Sequence, residues 1–176
     1  CATSGAGAPA RSTARRSGAK YFFATRWMSA AVTSAIFFGS SLKLCQPRVF
    51  SAITEGRHLE RWFCDACESE AHEDGRLTMR WHRLDSTSWP YEATWSEFRP
   101  PAHCACVGGH QGYPNRDAGR IEFDVEARDG GATLVVRHSL PDSPEYAPHA
   151  EQYRHAWPRA LARLKLYLSP TTREQS

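Results

Sequence analysis

No acidic residue precedes Glu55, whereas Arg11, Arg15, Arg16, Lys20 and Arg26 all fall within the first 27 positions. The formal charge of +3 comes from that leading segment, and the rest of the chain is close to neutral. A nucleic-acid binder carries its basic footprint on the folded body, so no nucleic-acid partner is expected. Long apolar runs are missing too. No stretch approaches the 18 or more uncharged apolar residues of a spanning helix, and no membrane span is expected. Glycine-rich nucleotide loops, a nucleophile elbow and a zincin helix are likewise missing. That argues against the common kinases and hydrolases, though not against a pocket-based cyclase. No internal repeat is visible, and no cofactor is expected. Six cysteines in 176 residues are sparse for a secreted disulfide scaffold, so free thiols in a cytoplasmic protein are the expectation.

What is present is a body with 41% hydrophobic residues and six tryptophans, enough for one packed domain. Residues 1–27 read as a disordered or non-native extension, since Cys1 to Lys20 is almost entirely Ala, Gly, Ser and Arg. Met28 reads as a start, with 28–41 leading into a first strand. The competing reading is a targeting signal built on Arg15-Arg16 and the apolar run from Trp27 to Phe38. The domain proper is placed at 42–168, with 169–176 as a tail. Ser41 to Leu44 alternates as a half-buried strand, and Pro47 opens a helix that carries Val49, Phe50 and Ile53 inward and ends at Gly56. A second short helix runs from Arg57 to Phe63.

The period then changes to two. Leu77, Met79 and Trp81 alternate with polar residues; so do Tyr91, Ala93 and Trp95. Ala102 to Val107 reads as a short strand followed by a glycine-rich loop from Gly108 to Gly119. Ile121 to Ala127 and Leu134 to His138 flank an Asp129-Gly130-Gly131 turn. The chain closes with an amphipathic helix from Ala147 to Leu168, in which Tyr153, Trp157, Leu161, Leu164 and Leu168 share one face. Pro158 is expected to bend this helix without ending it. The fold class is therefore α+β: a curved antiparallel sheet of six to seven strands, two short helices after the first strand, and a long helix across one face.

Several of these segments have a familiar look. Arg48-Val49-Phe50-Ser51-Ala52-Ile53-Thr54 with His58-Leu59-Glu60-Arg61-Trp62-Phe63 resembles the opening of the activator-of-heat-shock-protein-ATPase homologues, a branch of the START-like (SRPBCC) helix-grip superfamily. Asp129 to Leu134, Arg137-His138-Ser139, and Trp157 with Leu161 and Leu164 are similar to that family's last hairpin and closing helix. The chain departs from the pattern at Ala156, where glycine is usual, and at Pro158. The resemblance implies a helix-grip domain binding a small hydrophobic or aromatic molecule. It also implies two alternatives, a cyclase- or hydrolase-type enzyme and a chaperone-associated interaction module with a protein partner.

The expected ligand wall is the inward sheet face and the facing helix: Leu77, Met79, Trp81, Tyr91, Trp95, Phe123, Leu134, Val136, His138, Trp157 and Leu161, with Ile121 and Val125 on the same face. Some of these must be plain core. His138 is the polar member, and a polar group on an apolar face needs a partner. Glu97 shares the strand parity of Trp95 and could pair with His138 as an acid–base couple. Cys64, Cys67, Cys104 and Cys106 are an alternative metal set, provided their strands are neighbours.

Overall fold

The computed structural model describes residues 32–82 and 88–169. The expectations for 1–27 and for the tail from residue 170 lie outside the described residues. The chain runs through β1 (Val32–Leu42), two helices α1 (Gln46–Thr54) and α2 (Gly56–Trp62), then β2 (Ala66–Ser69), β3 (Arg76–His82), β4 (Ser88–Arg99), β5 (His103–His110), β6 (Gly119–Arg128), β7 (Gly131–Pro141) and α3 (Ala147–Tyr167). All seven strands form one antiparallel sheet in the order β1-β7-β6-β5-β4-β3-β2. The sheet curves into a half-barrel, and α3 closes its concave face.

Local chemistry accounts for most boundaries. Pro47 enters α1 where its missing N–H costs nothing, and Val49, Phe50, Ala52 and Ile53 are buried against the sheet. Gln46 Nε2 donates to the Val125 carbonyl at 2.7 Å and pins the helix start to β6. Gly56 does not end α1 as expected but begins α2, with Glu55 between the two helices. A Cβ at Gly56 would lie 2.8 Å from the Cys67 carbonyl oxygen, so glycine is required by the close passage of β2. The β6–β7 hairpin turns at Gly130, whose φ of 75° suits glycine.

Two further strand expectations are corrected. The first strand starts at Val32 and ends at Leu42, so the Ser41–Leu44 placement caught only its last residues. Its extent is set by pairing with β7, from Leu42 opposite Ala132 back to Val32 opposite Pro141, which no local pattern announces. In addition, β5 continues through Gly108 and Gly109 to His110 instead of yielding to a loop at Gly108. A Cβ on Gly108 would lie 2.1 Å from the Glu92 carbonyl oxygen, so glycine here permits close approach of β4 and β5. Strand β2, unassigned from sequence, pairs with β3 at the sheet edge.

Helix α3 runs unbroken through Pro158. Trp157, Ala160, Leu161 and Leu164 are buried on its sheet-facing side. Each large apolar member of that set contributes roughly 1.5–3 kcal/mol by leaving water.

Candidate functional site

The concave face is filled unevenly. On one half, α1 and α2 press onto the sheet, and Leu77, Trp95, Phe123, Leu134, Val136 and Leu161 are packed as core. Phe50 and Trp95 both meet Phe98 edge-on at 5.4 and 5.7 Å. On the other half, bordered by Phe63 at the end of α2, an apolar cavity of about 310 Å³ remains between the sheet and α3. Of the candidates named from sequence, Met79, Trp81, Tyr91, His138 and Trp157 lie in its wall. The six packed residues do not, because strand parity tells which face a side chain takes, not which half of that face a helix covers.

Ile121, placed on the same face from sequence, lies in the wall too, which also holds residues the sequence reading did not assign to it: Phe63, Trp89, His110, Gln152, Tyr153, Ala156, Ala160 and Arg163. Trp89 shares parity with Tyr91 and was legible in principle. His110 was hidden by the apparent loop. On α3, Gln152, Ala156, Ala160 and Arg163 form a second ridge beside the apolar one, and their polar or small side chains carry no hydrophobic signal.

Aromatic contacts build the wall. Phe63 stacks on Trp157 at 5.6 Å and meets Trp81 edge-on at 5.5 Å. The Trp81 indole N–H donates to the Phe63 carbonyl at 2.8 Å, tying β3 to the end of α2. Tyr153 lies over the His138 ring with centroids 4.1 Å apart, and its hydroxyl accepts from Tyr113 at 2.8 Å.

Two histidines belong to this wall, and their nitrogens are treated differently. The backbone N–H of Gly112 donates to His110 Nδ1 at 2.8 Å, and His110 Nε2 lies 3.2 Å from His149 Nδ1. Both nitrogens of His110 are thus engaged. Burial, helped by the neighbouring His149, pulls its pKa down to about 4. His138 is 1% exposed. The Trp157 indole, which can only donate, gives its N–H to His138 Nδ1 at 3.2 Å. Burial pulls the His138 pKa down to about 3, so the ring is neutral and its one proton sits on Nε2. That Nε2 is buried and finds no hydrogen-bond partner among the described residues, and the same holds for the Tyr91 hydroxyl. Burial raises the Tyr91 pKa well above its ordinary range, so the hydroxyl stays protonated.

The pairing of Glu97 with His138 is corrected by a β-bulge. The β4–β5 register shifts between Trp95 and Glu97, which breaks the parity and turns Glu97 to the convex face. There Glu97 meets Arg120, Arg99 and His103. His103 also bonds Asp124 at 2.7 Å, and Asp124 pairs with Arg137. Burial works to raise the Glu97 pKa, but the Arg120 hydrogen bond and charge hold it below its usual value. For Asp124 the bond from His103 and the Arg137 charge likewise outweigh burial.

The cysteines separate into two sites. Cys104 and Cys106 face the core from β5, opposite Phe123 and Ile121. Burial pushes the Cys106 thiol up to about 12 and raises that of Cys104 as well. Cys64 and Cys67 lie at β2, separated from β5 by two intervening strands. A hydrogen bond to Cys67, with burial, raises the Cys64 pKa. The four do not converge, and among the described residues no cluster of three or more His, Cys, Asp or Glu could hold a metal ion. Among the described residues, no helix is long and apolar enough to cross a membrane.

A curved antiparallel sheet gripping one long helix, with a cavity between them, defines the helix-grip class of the START-like superfamily. Within that class the chain belongs to the family described as Activator of Hsp90 ATPase homolog 1-like protein, whose model matches residues 46–169. No curated protein matches the chain in sequence. Solved structures share the fold at low identity. A protein from Rhodobacter sphaeroides aligns with TM-score 0.68 and 14% identity over 78% of this chain and 94% of its own. CalU16 from Micromonospora echinospora gives 0.62 and 18% over 77% and 76%. The Aha1 dimer from Colwellia psychrerythraea gives 0.62 and 15% over 78% and 98%.

Proposed function

We propose that this domain binds a small hydrophobic or aromatic molecule in the cavity between the sheet and α3. The observation that carries the reading is the cavity itself: about 310 Å³, walled by Phe63, Met79, Trp81, Trp89, Tyr91, Ile121, His138 and Trp157. That volume lies at the lower end of the range for small-molecule sites, which favours a compact ligand. Apolar space of this size lowers stability when left unfilled, since its lining forfeits dispersion contacts. Occupation by an apolar molecule recovers them.

The acid–base alternative loses its couple. Glu97 and His138 stand on opposite faces of the sheet, and a ring held neutral down to about pH 3 is a weak base at neutral pH. No catalytic step is therefore assigned.

Native mass spectrometry of the purified chain, compared with its denatured mass, tests the reading. Added organic mass that is lost on denaturation supports it. Protein that arrives bare and stays bare when offered tetralin, a compact two-ring hydrocarbon, counts against it.

A further inference from the structure

The cavity wall is mostly apolar, and two residues in it carry a buried polar atom with no partner among the described residues. Natural interiors rarely leave such atoms unsatisfied, because each costs about 1–3 kcal/mol. Here both belong to residues that line the same cavity, and their protonation states are defined. At His138, the Trp157 indole can only donate, so Nδ1 must accept and the proton must sit on Nε2. The free edge of the ring is therefore a hydrogen-bond donor of fixed identity. His110 provides the contrast within one site, since Gly112 and His149 occupy both its nitrogens and leave nothing for a ligand.

We propose that the molecule bound in this cavity carries a neutral carbonyl-type acceptor, held by the Nε2–H of His138, with the Tyr91 hydroxyl as a second polar anchor. Trp157 is the positioning residue that fixes the His138 tautomer. The inference rests on the cavity being a binding site and adds the chemistry of the buried end of the ligand. A carbonyl fits because it accepts without bringing charge. A carboxylate at the same place would be an anion in a wall whose described lining offers only a neutral imidazole and a neutral phenol there, and an unpaired buried charge is far more costly than a neutral acceptor. A hydrocarbon would fill the space but leave both polar atoms unpaired. The one cationic side chain among the described lining residues, Arg163, is exposed on α3 and can meet only a part of the ligand that reaches solvent.

The test compares two probes of nearly equal shape, 1-tetralone, which has the carbonyl, and tetralin, which lacks it. Binding to the full chain is followed through tryptophan fluorescence, since Trp81, Trp89 and Trp157 line the cavity. His138→Phe is expected to weaken 1-tetralone about tenfold, the worth of one buried hydrogen bond, and to leave tetralin within about twofold. Equal changes for both probes would overturn the acceptor inference, as would wild-type protein that binds tetralin but not 1-tetralone; in either case the cavity reading stands. Failure of both probes to bind wild-type protein would overturn the two readings together. Imidazole nitrogen NMR of the wild-type chain keeps the inference testable should the variant not fold. The His138 Nε2–H signal is expected to move with 1-tetralone and not with tetralin, and a signal indifferent to 1-tetralone would contradict it. Trp157→Phe is expected to let both His138 tautomers populate in the same spectrum; a spectrum still showing Nε2–H alone would remove Trp157 from the account.

Discussion

The two faces of the sheet handle polar groups in opposite ways. On the convex face Glu97, Arg120, Glu122, His103, Asp124 and Arg137 pair in a partly exposed network of charges, in which the buried His103 Nε2 makes no hydrogen bond among the described residues but has Glu97 Oε2 at 3.3 Å. On the concave face His138 and Tyr91 are almost fully buried, and each keeps an atom without a described partner. Water screens the first set, so each pair contributes little. The second set sits in low dielectric, where every unmade bond is expensive. Many charged groups on a sheet thus do not identify its functional face; two neutral groups that line a cavity, each with an unpaired atom and no charged partner among the described residues, are more informative.

The largest expected effect that sharpens this contrast comes from Trp157→Ala. It removes a buried ring that contacts Phe63, Phe123 and His138 and leaves Nδ1 of His138 without its donor. A loss of about 3–5 kcal/mol is expected in denaturant unfolding, and a loss below about 1 kcal/mol would mean the wall is loosely packed.

Acidification separates the faces next. The folded pKa of His138 is about 3, against an ordinary 6.5, so between those values the unfolded chain holds more protons. Stability then rises with pH through that window and falls as pH drops from about 6.5 toward 3. Going from pH 7 to pH 5 is expected to cost about 2 kcal/mol through this residue. The lowered Glu97 and Asp124 carboxyls run the other way in position: their contribution is present above their ordinary range near 4 and is lost only as pH falls below it. His138→Phe is expected to reduce the slope of the stability profile between pH 7 and 5, the remainder being carried by His110 with its pKa near 4, while Glu97→Gln leaves that stretch unchanged. Equal slopes for wild type and His138→Phe would show that the imidazole is not held neutral.

The smallest effect is expected on the convex face. Glu97→Gln should cost about 0.5 kcal/mol, screened by solvent and diminished further in high salt. A cost of several kcal/mol would mean that this network, not the cavity wall, holds the sheet's critical polar contacts.

The sheet and its closing helix were readable because periods of two and of nearly four survive in β3, β6, β7 and α3. The wall of the site was readable only in part. Parity placed Met79, Trp81, Tyr91 and His138 on the concave face, but it could not show that Leu77, Trp95 and Leu134 would pack away from the cavity and the others along its wall. Nor could it foresee the bulge after Trp95, which consumes one residue and sends Glu97 to the convex side. The α3 ridge of Gln152, Ala156 and Arg163 was silent because small and polar residues on a helix read as solvent-facing. The resemblance to the ATPase-activator homologues supplied the topology, and the site had to come from packing.

The central claim is that the cavity between the concave face and α3 is a binding site. Ala156→Trp tests it most directly, because Ala156 is exposed on α3 yet lines the cavity, so a larger side chain there can occupy the space without displacing core. Tetralin binding would be measured by fluorescence in wild type and variant of equal melting temperature. The account expects wild-type binding and at least a tenfold loss in Ala156→Trp. Equal affinity in the two proteins, or no binding to either, would contradict it.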